Sequence, residues 1–247
     1  IGAVDLVFIG LKATANAHYQ ELVAPLVGPA TRVLTAQNGL GNEERLAELF
    51  GAERIAGGLA FLCSNRAAPG VIHHLDYGFF QTGNFQRPPD DTLRTFAAMM
   101  QDAGVECTIA DDLALARWKK LIWNVPFNGL SALLDLTVDK IMANPDLHGR
   151  AWRLMKEVQA AAGADGLHID DAFLDHMMDL TVKMKPYYTS MHLDRRSGNP
   201  METEAIIGEP LRRGRRHALP LPEMHSLYAA LRQIDEDRRS SPVPRRS

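Results

Sequence analysis

The sequence predicts an α/β domain with a largely parallel sheet, followed by an all-helical domain. From residue 1 to about residue 110, short apolar runs closed by glycine or polar turns alternate with helical stretches. Strands that alternate with helices argue for parallel pairing. From Asp111 to about residue 235 the apolar spacing is helical throughout. The stretch 236–247, which takes in DRRSSPVPRRS, has the composition of a loose tail. No internal repeat is visible.

The elements follow in order. VDLVFIGLKA opens as an apolar run closed by Gly10, the pattern of a buried parallel strand. NAHYQELVAPLV reads as helical. TRVLTAQNGLG is a second strand running into a glycine-rich turn, and NEERLAELF is a helix, with Asn42 as its N-cap and acidic residues in its first turn. RIAGGLAFLCS is another strand, and GVIHHLDYGFFQTGN alternates like an antiparallel hairpin region. DDLALARWKKLIWNVPFNGLSALLDL is one long apolar helix, in which Pro126 removes a backbone donor and should cause a kink. HGRAWRLMKEVQAAAGADG is an amphipathic helix ending in glycine punctuation. DDAFLDHMMDLTVKMKPYYTSMHLD reads as a third helix of this half and METEAIIGEPLRRGRRHA as a fourth.

Composition excludes several classes. The 247 residues are 46% hydrophobic and 23% charged, the balance of an ordinary globular protein. A net charge of −3 supplies no global basic field for nucleic acid or a membrane surface. No apolar run reaches the roughly 20 residues that span a bilayer, and no signal peptide is read. The chain opens on Ile1 directly into a strand-like run, as if from the middle of a larger unit. Cys63 and Cys107 do not make a disulfide framework, which fits a reducing, cytoplasmic compartment. His73 and His74 lack metal-ligand company, so no metal is expected. Met177, Met178 and Met184 read as core, and RRGRRH, from Arg212 to His217, as a solvated helix end rather than a polyanion site.

The stretch WKKLIWNVPFNGLSALL breaks this bland pattern. Lys120, Asn124 and Asn128 recur every four residues along an otherwise apolar helix and share one face. Burying an ammonium and two amides is unfavourable unless each finds a partner. A buried lysine with amide neighbours is suited to donate a proton, because burial brings its titration toward the working range. Asn side chains can hold a carbonyl and a hydroxyl at once.

RWKKLIWNVPFNGLSALL resembles the substrate helix of the ketopantoate reductase (2-dehydropantoate 2-reductase) family, which carries Lys, Asn four residues on, and Asn four residues on again. Other stations recur in order. LKA at the end of the first strand is similar to the family's strand-end lysine, here Lys12, and QNGLGN to its Asn-Gly cofactor turn, here Asn38 and Gly39. TSMHLDRRSGNPMETEAIIG resembles the family's Ser-Met, Asp, Gly, Pro, Glu and Ile-Gly series, which places Ser190, Asp194 and Glu202 on matching positions. RRHALPLP resembles the segment that follows, and the likeness runs to about residue 230.

The resemblance implies a partial Rossmann-type (doubly wound) dinucleotide-binding domain over residues 1–110, followed over 111–235 by an all-α domain of the 6-phosphogluconate dehydrogenase-like type. It implies NADPH as cofactor, a small 2-keto acid as substrate, and a homodimer as the assembly to consider. Lys120 would be the general acid that protonates the carbonyl oxygen as hydride reaches carbon. Glu202 would orient the ammonium and bond the substrate hydroxyl or the cofactor ribose. Asn124, Asn128 and Ser190 would hold the keto acid, Asn38 and Gly39 would face the nicotinamide side, and Lys12 would sit near the cofactor.

One departure stands out. The family's opening strand and G-x-G-x-x-G turn, whose helix N-terminus holds the pyrophosphate, have no counterpart here. A truncated dinucleotide-binding domain is therefore expected, with an unpaired apolar edge beside its first remaining strand. The expected activity is reduction of ketopantoate to pantoate, a step of pantothenate biosynthesis. The alternatives are reduction of another small 2-keto acid in the same superfamily, or a catalytically inactive remnant that serves as a binding or dimerisation module.

Overall fold

The computed structural model describes residues 1–186 and 188–240. Contacts divide the chain into two compact units, Ile1–Arg117 and Trp118–Ser247.

The first unit is built on a five-stranded sheet of order β1-β2-β3-β4-β5, with β1 Leu6–Ile9, β2 Arg32–Thr35, β3 Ile55–Ala68, β4 Val71–Asn84 and β5 Glu106–Ile109. β1 pairs parallel with β2, β2 with β3, and β4 with β5, while β3 and β4 form the expected antiparallel hairpin. Alternation along the strands feeds more than one core. Val7, Ile9, Val33 and Ile55 pack with Tyr19, Val23 and Leu46, and the neighbouring Leu34, Ala56, Phe80 and Cys107 pack with Leu93 and Ala97. Two faces covered by apolar side chains are what a parallel sheet requires. β1 stands at the end of the strand order, and its Leu6 and Phe8 are exposed.

Several local assignments differ from the sequence reading. NAHYQELVAPLV is not one helix. It forms tight turns over Ala13–His18 and Ala24–Leu26 around one turn of helix, α1 Tyr19–Leu22, because Pro25 cannot continue an α-helical ladder. The helix α2, Asn42–Phe50, is capped by Gly41 at φ 89°, and Asn42 is its buried first residue rather than its cap. A helix, α3 Asp91–Asp102, capped by Asp90 accepting from the Leu93 amide, and β5 complete the unit and were not read from the sequence. The long helix, α4 Leu113–Leu134, runs through Pro126. Its acidic start is a cap: Asp112 accepts from the Leu115 amide at 3.0 Å.

The second unit is helical among the described residues. After α4 come α5 Val138–Ala143, α6 Pro145–Ala164, α7 Asp171–Val182, α8 Ser190–Arg196, α9 Glu209–Arg216 and α10 Pro222–Ser240. Along α6, Ala151, Leu154, Met155, Val158, Ala161 and Ala162 are all fully buried, the apolar stripe of a core helix. The third helix expected from the sequence is two helices: α7 stops at Val182, Pro186 falls in the gap, and Thr189 caps α8 by accepting from the His192 amide. The fourth is a π-helical turn, Glu204–Gly208, running into α9. The tail expected from residue 236 is helical as far as Ser240, held by the Arg232–Glu236 and Gln233–Asp237 pairs, and its last seven residues, 241–247, lie outside the described residues.

The end of α4 is fastened to α8. Arg195 donates to the carbonyls of Ala132 and Leu133, two orphan acceptors of the last helical turn. Ser131 donates to the Leu136 carbonyl at 2.6 Å and meets Nδ1 of the fully buried His192 at 3.0 Å. Nε2 of His192 donates to Asp135, which follows the helix in the left-handed region at φ 57°. The His192 hydrogen bond, with Arg196 and Arg195 nearby, holds the Asp135 carboxyl below its ordinary range. A carboxyl depressed in the folded state contributes stability above its unfolded pKa and loses it as pH falls through the folded value. Asp135→Asn is therefore expected to unfold at lower temperature than the parent at neutral pH. Thermal unfolding followed down through the folded value, which lies below the usual aspartate pKa of about 4, should show the gap narrowing and then closing, and a gap that does not narrow on acidification would overturn the assignment.

Candidate active site

Within the first unit, the residues assigned to the cofactor side lie at one edge of the sheet. Ile9 pairs with Thr35 in parallel register, so the segments leaving β1 and β2 emerge together at the carboxyl end. Lys12 and Asn38 each lie three residues beyond those strand ends. Open α/β sheets bind ligands at this end. Lys12 is exposed and Asn38 half-buried. Gly39 and Gly41 sit at φ 86° and 89°, a conformation that disfavours other residues and lets backbone approach a ligand closely. The Asn42 side chain donates to the Asn38 carbonyl at 3.0 Å, closing the turn from within.

Within the second unit, α4 carries Lys120, Asn124 and Asn128 on successive turns of one face. Asn124 and Asn128 are buried at 7% and 3% exposure, in a helix otherwise lined by core side chains. Lys120 is half-buried rather than buried. It lies toward the start of the helix while Trp118, Leu121 and Ile122 take the fully enclosed positions. The indole of Trp123 donates to Thr181 at 3.0 Å, which holds the helix against α7.

Ser190 and Asp194 lie one turn apart on α8, with Ser190 half-buried at its first residue and Asp194 buried. Because His192 and Arg195 of the same helix clip onto residues 131–135, α8 is positioned against the end of α4 that follows Asn128. Glu202 is buried at 2% exposure and precedes the π-helical turn, whose Ile206 amide bonds the Glu202 carbonyl at 3.0 Å. Its neighbours are tied down: the Met201 amide and the Thr203 hydroxyl both donate to the Asp235 carboxylate at 3.4 Å. π-helical turns recur at functional sites because they re-aim side chains out of helical register.

Three arginines of the basic run at Arg212–His217 are in ion pairs within the second unit. Arg212 pairs with Glu204 and Glu209, Arg213 with Glu209 and Asp165, and Arg216 with Glu209. Cys63 and Cys107 are buried, and Met178 is a core residue. Among the described residues no helix is long and apolar enough to cross a membrane.

The sequence reading missed both ends of the polar stripe. Arg117 and Ser131 extend the Lys120–Asn124–Asn128 series with spacings of three, so all five share one helical face. The same periodicity, carried one turn further each way, marks them. Both are buried and bonded within their own units.

The comparisons agree along most of the chain. Residues 1–87 match the family profile described as Ketopantoate reductase PanE/ApbA, and residues 112–235 match its C-terminal counterpart, Ketopantoate reductase PanE/ApbA C terminal. A 2-dehydropantoate 2-reductase of Nostoc sp. is 42% identical over 236 residues, covering 94% of this chain and 74% of the relative. The crystal structure of 2-dehydropantoate 2-reductase from Geobacter metallireducens GS-15 superposes with a TM-score of 0.91 at 48% identity, covering 94% of this chain and 78% of that one. The enzyme of the same name from Methylococcus capsulatus gives a TM-score of 0.91 at 32% identity, covering 98% and 78%. The chain spans about three quarters of each of these proteins, and on this footing it belongs to the ketopantoate reductase family of oxidoreductases.

Proposed function

We propose that this protein reduces a small 2-keto acid with NADPH, with ketopantoate as the substrate and pantoate as the product, in the cytoplasmic synthesis of pantothenate. The observation that carries the reading is the row of Lys120, Asn124 and Asn128 on one face of α4, two of them buried in a helix that otherwise belongs to the core. Such burial is unfavourable, and a function that needs those groups there accounts for it.

The residues on the cofactor side suit a nicotinamide dinucleotide. The Asn38–Gly39 turn stands at the carboxyl end of a parallel strand, and its left-handed glycine leaves room for close approach. When bound, the cofactor supplies the hydride. The Asn38 amide holds the ribose side of the nicotinamide, and Lys12 lies near the cofactor. On the substrate side, Asn124, Asn128 and the Ser190 hydroxyl hold the keto acid. Lys120 protonates the carbonyl oxygen as negative charge develops there. Glu202 orients the ammonium and accepts from the substrate hydroxyl or the ribose. A positioned cation and amide donors favour the transition state over the ground state, since the charge on oxygen grows along the reaction.

A second 2-keto acid is the neighbouring reading, because pocket contacts with an apolar tail discriminate one methylene only about 10–200-fold. Assaying NADPH oxidation with ketopantoate and with straight-chain and aromatic 2-keto acids separates the two. A higher kcat/KM for one of the others would move the assignment to that acid.

Two variants test the roles. Lys120→Ala should lower turnover by about 10²–10⁴, the usual worth of a positioned acid, with cofactor affinity nearly unchanged. Wild-type turnover in that variant would remove Lys120 from the mechanism. Asn128→Ala should weaken keto-acid binding by about 1–3 kcal/mol, since a substrate oxygen loses its donor, whereas Asn38→Ala should weaken NADPH binding instead. If titration shows the same substrate-only defect in both, the division of roles is wrong.

A further inference from the structure

The glycine-rich turn after β2 carries an element that the proposed chemistry does not use. Arg117 is 3% exposed and Glu43 is 4% exposed, a guanidinium and a carboxylate enclosed together in the first unit. Arg117 donates through Nε to Glu43 at 2.9 Å, through one terminal nitrogen to the Gln37 carbonyl at 2.6 Å, and through the other to Glu43 and to the Thr35 carbonyl at 3.2 Å. The planar fork thus spans a side chain and two backbone carbonyls, a geometry an ammonium cannot reproduce. Burial pushes the Glu43 carboxyl up, and Arg117 holds it back toward the ionised form. The first turn of α2, where Glu43 sits, also favours negative charge.

A second set of bonds closes on the same turn. The Gln37 side chain accepts from the Tyr19 hydroxyl and from Thr35 at 2.7 Å, and donates to Asn16 at 2.8 Å. Asn16 donates to Asn42 at 2.7 Å, and Asn42 to the Asn38 carbonyl at 3.0 Å. The Ala36 amide bonds the Ile9 carbonyl at 2.9 Å. The carbonyls of Thr35, Gln37 and Asn38 are therefore each occupied by a buried or half-buried donor. This restraint falls on a segment whose glycines at 39 and 41 would otherwise be free to wander.

We propose that Arg117 is a positioning residue: paired with Glu43, it fixes the path of the chain into the Asn38–Gly39 turn, so that the turn is ordered before cofactor binds. This rests on the reading of Asn38 and Gly39 as the cofactor side. A turn that must be ordered during binding loses affinity, and fixing even one backbone residue at that moment costs about tenfold.

The test uses the full chain. Arg117→Ala alone would strand a buried carboxylate and unfold the unit for an uninteresting reason. The informative variant is Arg117→Met combined with Glu43→Gln, which removes both charges and keeps bulk. Three measurements are made: thermal unfolding, amide hydrogen exchange at residues 38–42, and NADPH titration followed through the Asn38 and Gly39 amide signals, which reads weak binding as well as tight. The expected result is a folded protein in which exchange at 38–42 rises by about tenfold or more and half-saturation needs about tenfold more NADPH. Arg117→Lys, which keeps the charge but not the fork, should fall between, and it decides the matter if the double variant does not fold. Unchanged exchange at 38–42 and an unchanged NADPH response overturn the proposal and leave the pair as core packing. Asn38→Ala separates the two readings: if it leaves the NADPH response intact, the cofactor role of Asn38 fails, while the exchange data still judge the clamp.

Discussion

A polar group taken out of water must be paired, and this constraint shapes the protein more than any single apolar contact. Arg117 and Glu43 are the sharpest case: neither would be tolerated in the first unit without the other, and together they also bind the carbonyls of Thr35 and Gln37. The glycine-rich turn owes its definition to a side chain distant in sequence rather than to its own residues. In the second unit His192 and Arg195 play the corresponding part, meeting Ser131, Asp135 and the last carbonyls of α4. In both units a cation from elsewhere in the sequence satisfies backbone that local structure leaves open.

These anchors explain how one helix carries so much. The five polar positions of its stripe, Arg117, Lys120, Asn124, Asn128 and Ser131, share one face. The outer two are consumed by structure, Arg117 upon β2 and its turn and Ser131 upon the helix end. The middle three are the ones the proposed chemistry needs.

The parts of the fold legible in the sequence were those written in local pattern. Short apolar runs closed by glycine or turns marked the strands β1 to β3, alternation marked β4, helical spacing marked α2, α4 and α6, and the four-residue recurrence of Lys120, Asn124 and Asn128 marked the polar row on α4. Other features were not legible. The break between α7 and α8 was missed because a helical apolar period continues across Pro186, and only the Thr189 cap shows where the second helix begins. The strand β5 was missed because four residues, ECTI, are too few to show alternation, and its pairing with β4 is what makes it a strand. Arg117 and Glu43 were missed because each looks like an ordinary surface charge, and the burial that makes them otherwise arises from contacts 74 residues apart.

The parallel register of β1 with β2 is what brings scattered sequence stations to one candidate site edge. Lys12 and Asn38 are 26 positions apart in sequence, as are Ile9 and Thr35, which pair in the sheet. Equal offsets past paired strand ends carry the two segments out at the same margin. The side-chain period of a strand is two, so a slip of one residue would turn Val33 and Leu34 to each other's faces and undo both cores at once. The packing that fixes the register therefore fixes the edge as well. A substitution that disturbs Val33, Leu34 or Ile55 acts on the candidate cofactor side without touching any residue there, by way of the alignment of the strands that lead to it.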